Sequence, residues 1–130
     1  MDLAELLQQS PYHRWLGVRL ERADADSVGI RLPYRAEFAG GAFIHGGIIA
    51  SLADIAGCFA VIAAVGRDVP TLNVRVDYLR PAPAGSDLIG VGRTVRVGRT
   101  MGVADVTVST EGGVLVAVAR GDFPTGGASA

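Results

Sequence analysis

Asp54 is the one carboxylate in the stretch from Phe43 to Gly66, FIHGGIIASLADIAGCFAVIAAVG. An ionised carboxylate among apolar side chains loses hydration at a cost of several kcal/mol unless it is paired, and burial usually raises its pKa. Asp54 is therefore a candidate general base or nucleophile. At the head of the same run His45-Gly46-Gly47 marks the start of a helix. The N–H groups of a helix's first residues have no intrahelical acceptor and lie at the positive end of its dipole, so Gly46 and Gly47 could cradle an oxyanion. Preorganised donors of this kind contribute about 3 to 4 kcal/mol each in acyl transfer.

The spacing adds a constraint. Asp54 lies eight residues beyond Gly46, which is about 12 Å along a straight helix. One acyl carbon cannot sit about 3 Å from both groups. If Gly46 and Asp54 serve one reaction, they come from two chains whose helices run antiparallel about a two-fold axis. Plainer readings stand beside this one: Gly-Gly as a tight turn, Asp54 as a cap for another element, His45 as a structural histidine. No His, Cys and carboxylate cluster has metal-ligand spacing, and no Gly-x-Ser-x-Gly elbow, P-loop or dinucleotide fingerprint is present, so neither a metal nor a cofactor is expected. Cys58, without a basic neighbour in sequence, reads as an inert core thiol.

The elements that must position these residues follow from the rest of the chain. Its 130 residues, 49% hydrophobic, suit one well-buried domain over 1–124 and a flexible tail over 125–130. A net charge of −1 argues against binding a nucleic-acid backbone or an anionic membrane surface. The twelve basic residues are all arginine, which fits genomic base composition or a use for planar phosphate-binding groups. A lone cysteine and an N-terminus without a basic region and apolar core point to the cytoplasm. The uncharged run is long enough to span a bilayer, but His45, Asp54 and the strand patterns that follow favour a buried helix in a soluble fold.

Asp2 caps a short helix through Leu3, Leu6 and Leu7, and Ser10-Pro11 ends it. PYHRWLG reads as irregular or single-turn. Val18 to Arg22 and Ser27 to Tyr34 alternate as a hairpin, Arg35 to Ala42 is a loop, and the long helix stops at Gly66. TLNVRVDYLRP, LIGVGRTVRV, MGVADVTVST and VLVAVARGDF are four more strands. The expected architecture is α+β, an antiparallel meander wrapped around one helix. On that helix Ile48, Leu52, Ile55, Phe59 and Ile62 form a bulky stripe, expected to face the sheet. Gly46, Ala50, Ala53, Gly57, Ala60 and Ala64 form a small stripe that needs a close neighbour, either a second copy of the helix or the chain's own strands. Asp54 shares the polar stripe with Gly47, Ser51 and Cys58.

The string His45-Gly46-Gly47-x-x-x-x-Leu52-x-Asp54-x-Ala56, followed by Thr71-Leu72-x-Val74-x-Val76-x-Tyr78-Leu79-Arg80-Pro81, resembles the hotdog-fold acyl-CoA thioesterases of the phenylacetate-degradation (PaaI-like) type. The resemblance runs from about Pro11 to Phe123. It implies a six-stranded antiparallel sheet around the long helix and a homodimer with a continuous sheet, with a dimer of dimers as a larger form. It implies an acyl-CoA substrate, the Gly46 N–H as oxyanion donor, and Asp54 of the neighbouring subunit as base or nucleophile. Thr71 matches a hydroxyl that helps hold the water or carboxylate, and His45 would shape the helix entry and the oxyanion site, which places it with Asp54, Gly46 and Thr71 in the catalytic set the resemblance implies. Relatives often carry Asn or Gln six residues before the histidine, where this chain has Ala39. Phe43, Ile44 and Ile48, with Gly47, are candidate linings of an acyl or aryl pocket. Arg96 and Arg99, with Arg80 behind them, are candidate contacts for the phosphates of CoA. The alternatives are a non-catalytic acyl-CoA or lipid-binding hotdog protein, favoured by Ala39, and a hotdog hydratase, for which no Asp and His pair is apparent.

Overall fold

A computed structural model describes residues 1–126. Helix α1 (Leu3–Leu7) begins where the Asp2 side chain accepts from the Glu5 N–H at 3.1 Å. A second helix, α2 (Pro11–Leu16), replaces the irregular segment expected over PYHRWLG. Pro11 ends nothing here. It occupies the first turn of α2, where its missing N–H is no loss, while the Ser10 hydroxyl caps the His13 N–H and Gly17 closes the helix in the left-handed conformation at φ 81°.

Strands β1 (Arg19–Ala23) and β2 (Ser27–Leu32) form the expected hairpin, and a single 3-10 turn, Ala36–Phe38, interrupts the loop that follows. The long helix α3 (Gly46–Val65) starts at His45 and ends at Gly66, as read from the sequence. After it come β3 (Asn73–Tyr78), β4 (Leu88–Val97), β5 (Met101–Thr110) and β6 (Leu115–Pro124). All pairings are antiparallel and the order is β1-β2-β4-β5-β6-β3. The sheet is the six-stranded hotdog sheet, but it is no simple meander. β3 leaves α3 and pairs with β6 at the far edge, so β2 and β4 become neighbours across the insertion of α3 and β3.

Periodicity alone puts the bulky stripe of α3 against the sheet; the structure rotates the helix so that much of its small side faces the strands. Two glycines on β4 account for this. A Cβ on Gly92 would lie 2.2 Å from the Ala56 carbonyl oxygen, and one on Gly90 would lie 2.9 Å from Leu52 Cγ. Gly57 completes the close approach from the helix side, 3.1 Å from Val106 at the position a Cβ would take. Ala53, Gly57 and Ala60 are buried within the chain itself, which answers the question of their close neighbour in favour of its own strands. Of the bulky stripe, Leu52 borders the sheet, whereas the Phe59 ring meets His13 of α2 edge-on at 6.0 Å. By length and composition α3 could cross a bilayer. Its packing against β2, β4, β5 and β6 requires the same apolar composition.

At the C-terminus Thr125, expected in the tail, is buried and hydrogen-bonded through its hydroxyl to the Gly98 carbonyl at 2.7 Å. The rest of the expected tail, 127–130, lies outside the described residues.

Gly92→Ala is expected to destabilise the fold by about 3 kcal/mol or more, because backbone rather than a flexible side chain blocks the methyl. Gly40→Ala, with nothing within 4 Å of the added atom, is expected to change stability by no more than about 0.5 kcal/mol. Urea titration of the two variants checks both.

Candidate active site

The entry to α3 is held on several sides. The Ile44 N–H donates to the Ala82 carbonyl at 2.8 Å and the His45 N–H to the Phe38 carbonyl at 2.7 Å, pinning the loop between two other segments. His45 is then the N-cap: its Nδ1 accepts from the Gly47 N–H at 2.9 Å, which requires Nδ1 unprotonated and puts the ring proton on Nε2. This corrects the expectation for Gly47, whose N–H is engaged and is not a free donor. The Gly46 N–H has no acceptor among the described residues. Tyr78 at the end of β3 stands beside it, donating its hydroxyl to the Gly46 carbonyl at 2.7 Å.

Asp54 lies farther along α3 and is half-buried. Its Oδ1 accepts from the Thr71 hydroxyl at 2.6 Å, so the structure joins two of the residues singled out in the sequence. Gly66 makes this possible: left-handed at φ 77°, it ends the helix and lets residues 67–71 return along its flank. The pair shares a pocket of about 220 Å³ with His13, Cys58, Phe59 and Asp68. Burial, reinforced by the negative charges of Asp54 and Asp68, pushes the Cys58 thiol up to about 12. Its Sγ faces the Val69 carbonyl at 3.3 Å. The thiol is protonated near neutral pH and no nucleophile.

Gly46 opens instead onto a separate apolar pocket of about 390 Å³, lined among others by Phe43, Ile44, Ile49, Tyr78 and Arg80. Ile48 faces a third pocket with His45, Gly47 and Ala39. Within one chain, then, the Gly46 donor and the Asp54–Thr71 pair are not brought together. Arg80 is also separated from Arg96 and Arg99. The Arg80 N–H bonds the Val116 carbonyl, whereas the turn between β4 and β5 is tied to Thr125, roughly 30 Å away along β6. The expected three-arginine cluster is therefore not present in one chain. Among the described residues no group of three His, Cys, Asp or Glu side chains could hold a metal ion.

Comparison with known proteins gives these features a family. The thioesterase superfamily profile matches residues 41–117, the segment holding α3, the Asp54–Thr71 pair and Tyr78. The chain belongs to the thioesterase superfamily. It is a thioester hydrolase with the hotdog fold. It is 40% identical to a candidate esterase of Halobacterium salinarum over 84% of this chain and 80% of that one. It is 26% identical to the medium/long-chain acyl-CoA thioesterase YigI of Escherichia coli, over 89% of this chain and 86% of that one. Among solved structures it resembles the E. coli PaaI protein of the phenylacetic acid degradation operon, with a TM-score of 0.85 and 25% identity over 92% of this chain and 87% of that one.

Two residues near the thioesterase's candidate groups escaped sequence reasoning. Tyr78 stood within the motif, but strand alternation gives no sign that its hydroxyl reaches a helix start 32 residues earlier. His13 reaches the Asp54 pocket only because α2 forms, and its Nδ1 is held 2.8 Å from the Leu7 carbonyl. Helix-start chemistry at Ser10-Pro11 was the available signal.

The shift of the Cys58 thiol has a direct consequence in this thioesterase. In the native protein at neutral pH, Cys58 is expected to resist iodoacetamide, and to react at the rate of an ordinary thiol once urea unfolds the chain. Mass spectrometry of alkylation over time reads both rates.

Proposed function

We propose that this thioesterase hydrolyses a small, aryl or medium-chain acyl-CoA to the free acid and CoA, at sites built from two subunits of a homodimer. The Gly46 N–H of one subunit polarises the thioester carbonyl, and Asp54 of the other acts on the opposite side. As a general base Asp54 takes a proton from water, whose oxygen bonds to the carbonyl carbon; the C–S bond then breaks and the proton goes to the CoA thiolate. As a nucleophile its carboxylate oxygen bonds to the carbonyl carbon, the C–S bond breaks to release CoA thiolate, and water then opens the resulting acyl anhydride to free acid and carboxylate, its proton going to the thiolate. A single turnover in heavy-oxygen water separates the routes, because only the anhydride route can place label in Asp54. CoA is substrate here, and no cofactor takes part.

The observation that carries this reading is the Thr71–Asp54 hydrogen bond of 2.6 Å on the polar stripe of α3, placed eight residues from a Gly46 N–H that has no acceptor among the described residues. A carboxylate and a donor that far apart on one helix cannot both reach one thioester carbon, whereas the same groups from two helices related by a two-fold axis can. The same axis would bring Arg80 of one subunit to the end of the sheet where the other carries Arg96 and Arg99, so the phosphate contacts would also be shared. The apolar walls beside Gly46, from Phe43, Ile44 and Ile49, support an acyl or aryl group there. We place the enzyme in the cytoplasm, where acyl-CoA is found, and a dimer of dimers is its larger form.

Ala39 favours a second reading, an acyl-CoA-binding protein without turnover, because it faces the His45 pocket with a methyl where relatives of the resembled type carry an amide. Release of free thiol from a panel of acyl-CoAs decides between them: saturable binding with no thiol release over hours would support binding alone.

Asp54→Ala is expected to lower kcat about 100-fold or more, and Thr71→Val about tenfold, with folding intact by circular dichroism. Wild-type turnover by Asp54→Ala would remove the proposed mechanism. Specific activity is expected to fall on dilution in step with dissociation measured by light scattering, and full activity in a demonstrated monomer would refute the shared site.

A further inference from the structure

Resting on that reading, we infer that Tyr78 is a positioning residue for the oxyanion donor, and that the helix start presents one donor, the Gly46 N–H, rather than two. The peptide between Gly46 and Gly47 is clamped at both ends by side chains from separate elements. Its carbonyl accepts from the Tyr78 hydroxyl at 2.7 Å and its N–H donates to His45 Nδ1 at 2.9 Å. The preceding peptide is fixed through its carbonyl alone: the His45 carbonyl accepts from the Ile48 N–H at 3.0 Å and, more weakly, from the Ile49 N–H at 3.4 Å. Its own N–H, that of Gly46, is the one with no acceptor among the described residues.

The Tyr78 ring has a second position in the same arrangement. It packs 3.4 Å from where a Cβ on Gly46 would be, so it walls one flank of the glycine and one side of the apolar pocket. Ring and hydroxyl are thus separable. The ring shapes the space an acyl group enters, and the hydroxyl holds the direction of the first turn of α3. An oxyanion donor stabilises a transition state only if it is aimed before charge develops, because reorienting it during the reaction consumes the gain. Removing the hydroxyl should therefore weaken stabilisation of the oxyanion while leaving substrate binding largely intact.

The test is Tyr78→Phe in the full-length enzyme, assayed by thiol release from an acyl-CoA substrate. The expected result is a kcat about tenfold lower with KM within about twofold and an unchanged melting temperature. A second measurement needs no turnover: on titration with a non-hydrolysable ketone analogue of the acyl-CoA, the Gly46 amide proton is expected to shift in the wild-type NMR spectrum and the Gly47 proton to stay. Unchanged kcat in Tyr78→Phe, or a Gly47 shift as large as that of Gly46, would overturn the inference. A rise in KM alone would also overturn it, since that is the mark of a pocket wall only. Failure of the underlying reading is distinguishable, because it appears as retained activity in Asp54→Ala whatever Tyr78→Phe does.

Discussion

The approach of α3 to β4, backbone against backbone, is the contact on which the rest of the structure depends. At Gly92 the strand comes so near Ala56 that no side chain fits between them. This fixes both the depth of the helix and its rotation. Ala56 and Asp54 are two residues apart, about 200° around the helix. Turning Ala56 into the sheet therefore turns Asp54 away from it. The carboxylate ends up on the flank where residues 67–71 return, and meets Thr71 there.

That rotation also explains how the fold tolerates a carboxylate in its most apolar element. Asp54 is neither deeply buried nor left without a partner. It is half-exposed in a pocket, one oxygen bound to a hydroxyl and the other without a protein partner among the described residues. The desolvation cost that makes the residue conspicuous in sequence is reduced by geometry, because the carboxylate keeps both solvent contact and a hydroxyl partner. The helix start follows a similar pattern. His45 and Tyr78 engage the groups of one peptide, while the Gly46 N–H has no acceptor among the described residues.

Much of the fold was legible because local chemistry and tertiary packing agree. The glycine preference of a left-handed C-cap places the end of α3 at Gly66, the His-Gly-Gly triplet marks its start, and β4 and β5 match the alternating runs residue for residue. The readings that failed depended on choices local pattern cannot make. Pro11 is as compatible with a helix start as with a stop, so local sequence does not reveal α2 or the approach of His13. Large side chains usually fill a core, which assigns the bulky stripe to the sheet, yet glycines on the facing strand bring the small side there. Spacing identifies Gly47 as a group without an intrahelical acceptor but not the His45 ring that caps it. Nothing local shows that β3 pairs with β6 at the far edge, which separates Arg80 from Arg96 and Arg99.

By itself the sequence determined that a carboxylate and a helix-start N–H lie on one helix, with about 12 Å of helix axis between their backbone positions. Both follow from residue identity and the fixed rise of the α-helix, which no packing can alter. The tertiary structure decided which way that helix faces, which hydroxyl meets Asp54 and which of the two glycine N–H groups is capped by His45. These depend on residues distant in the chain: Gly92 against Ala56, Thr71 against Asp54, Tyr78 against Gly46. Each of those contacts exists only once the sheet has closed around the helix.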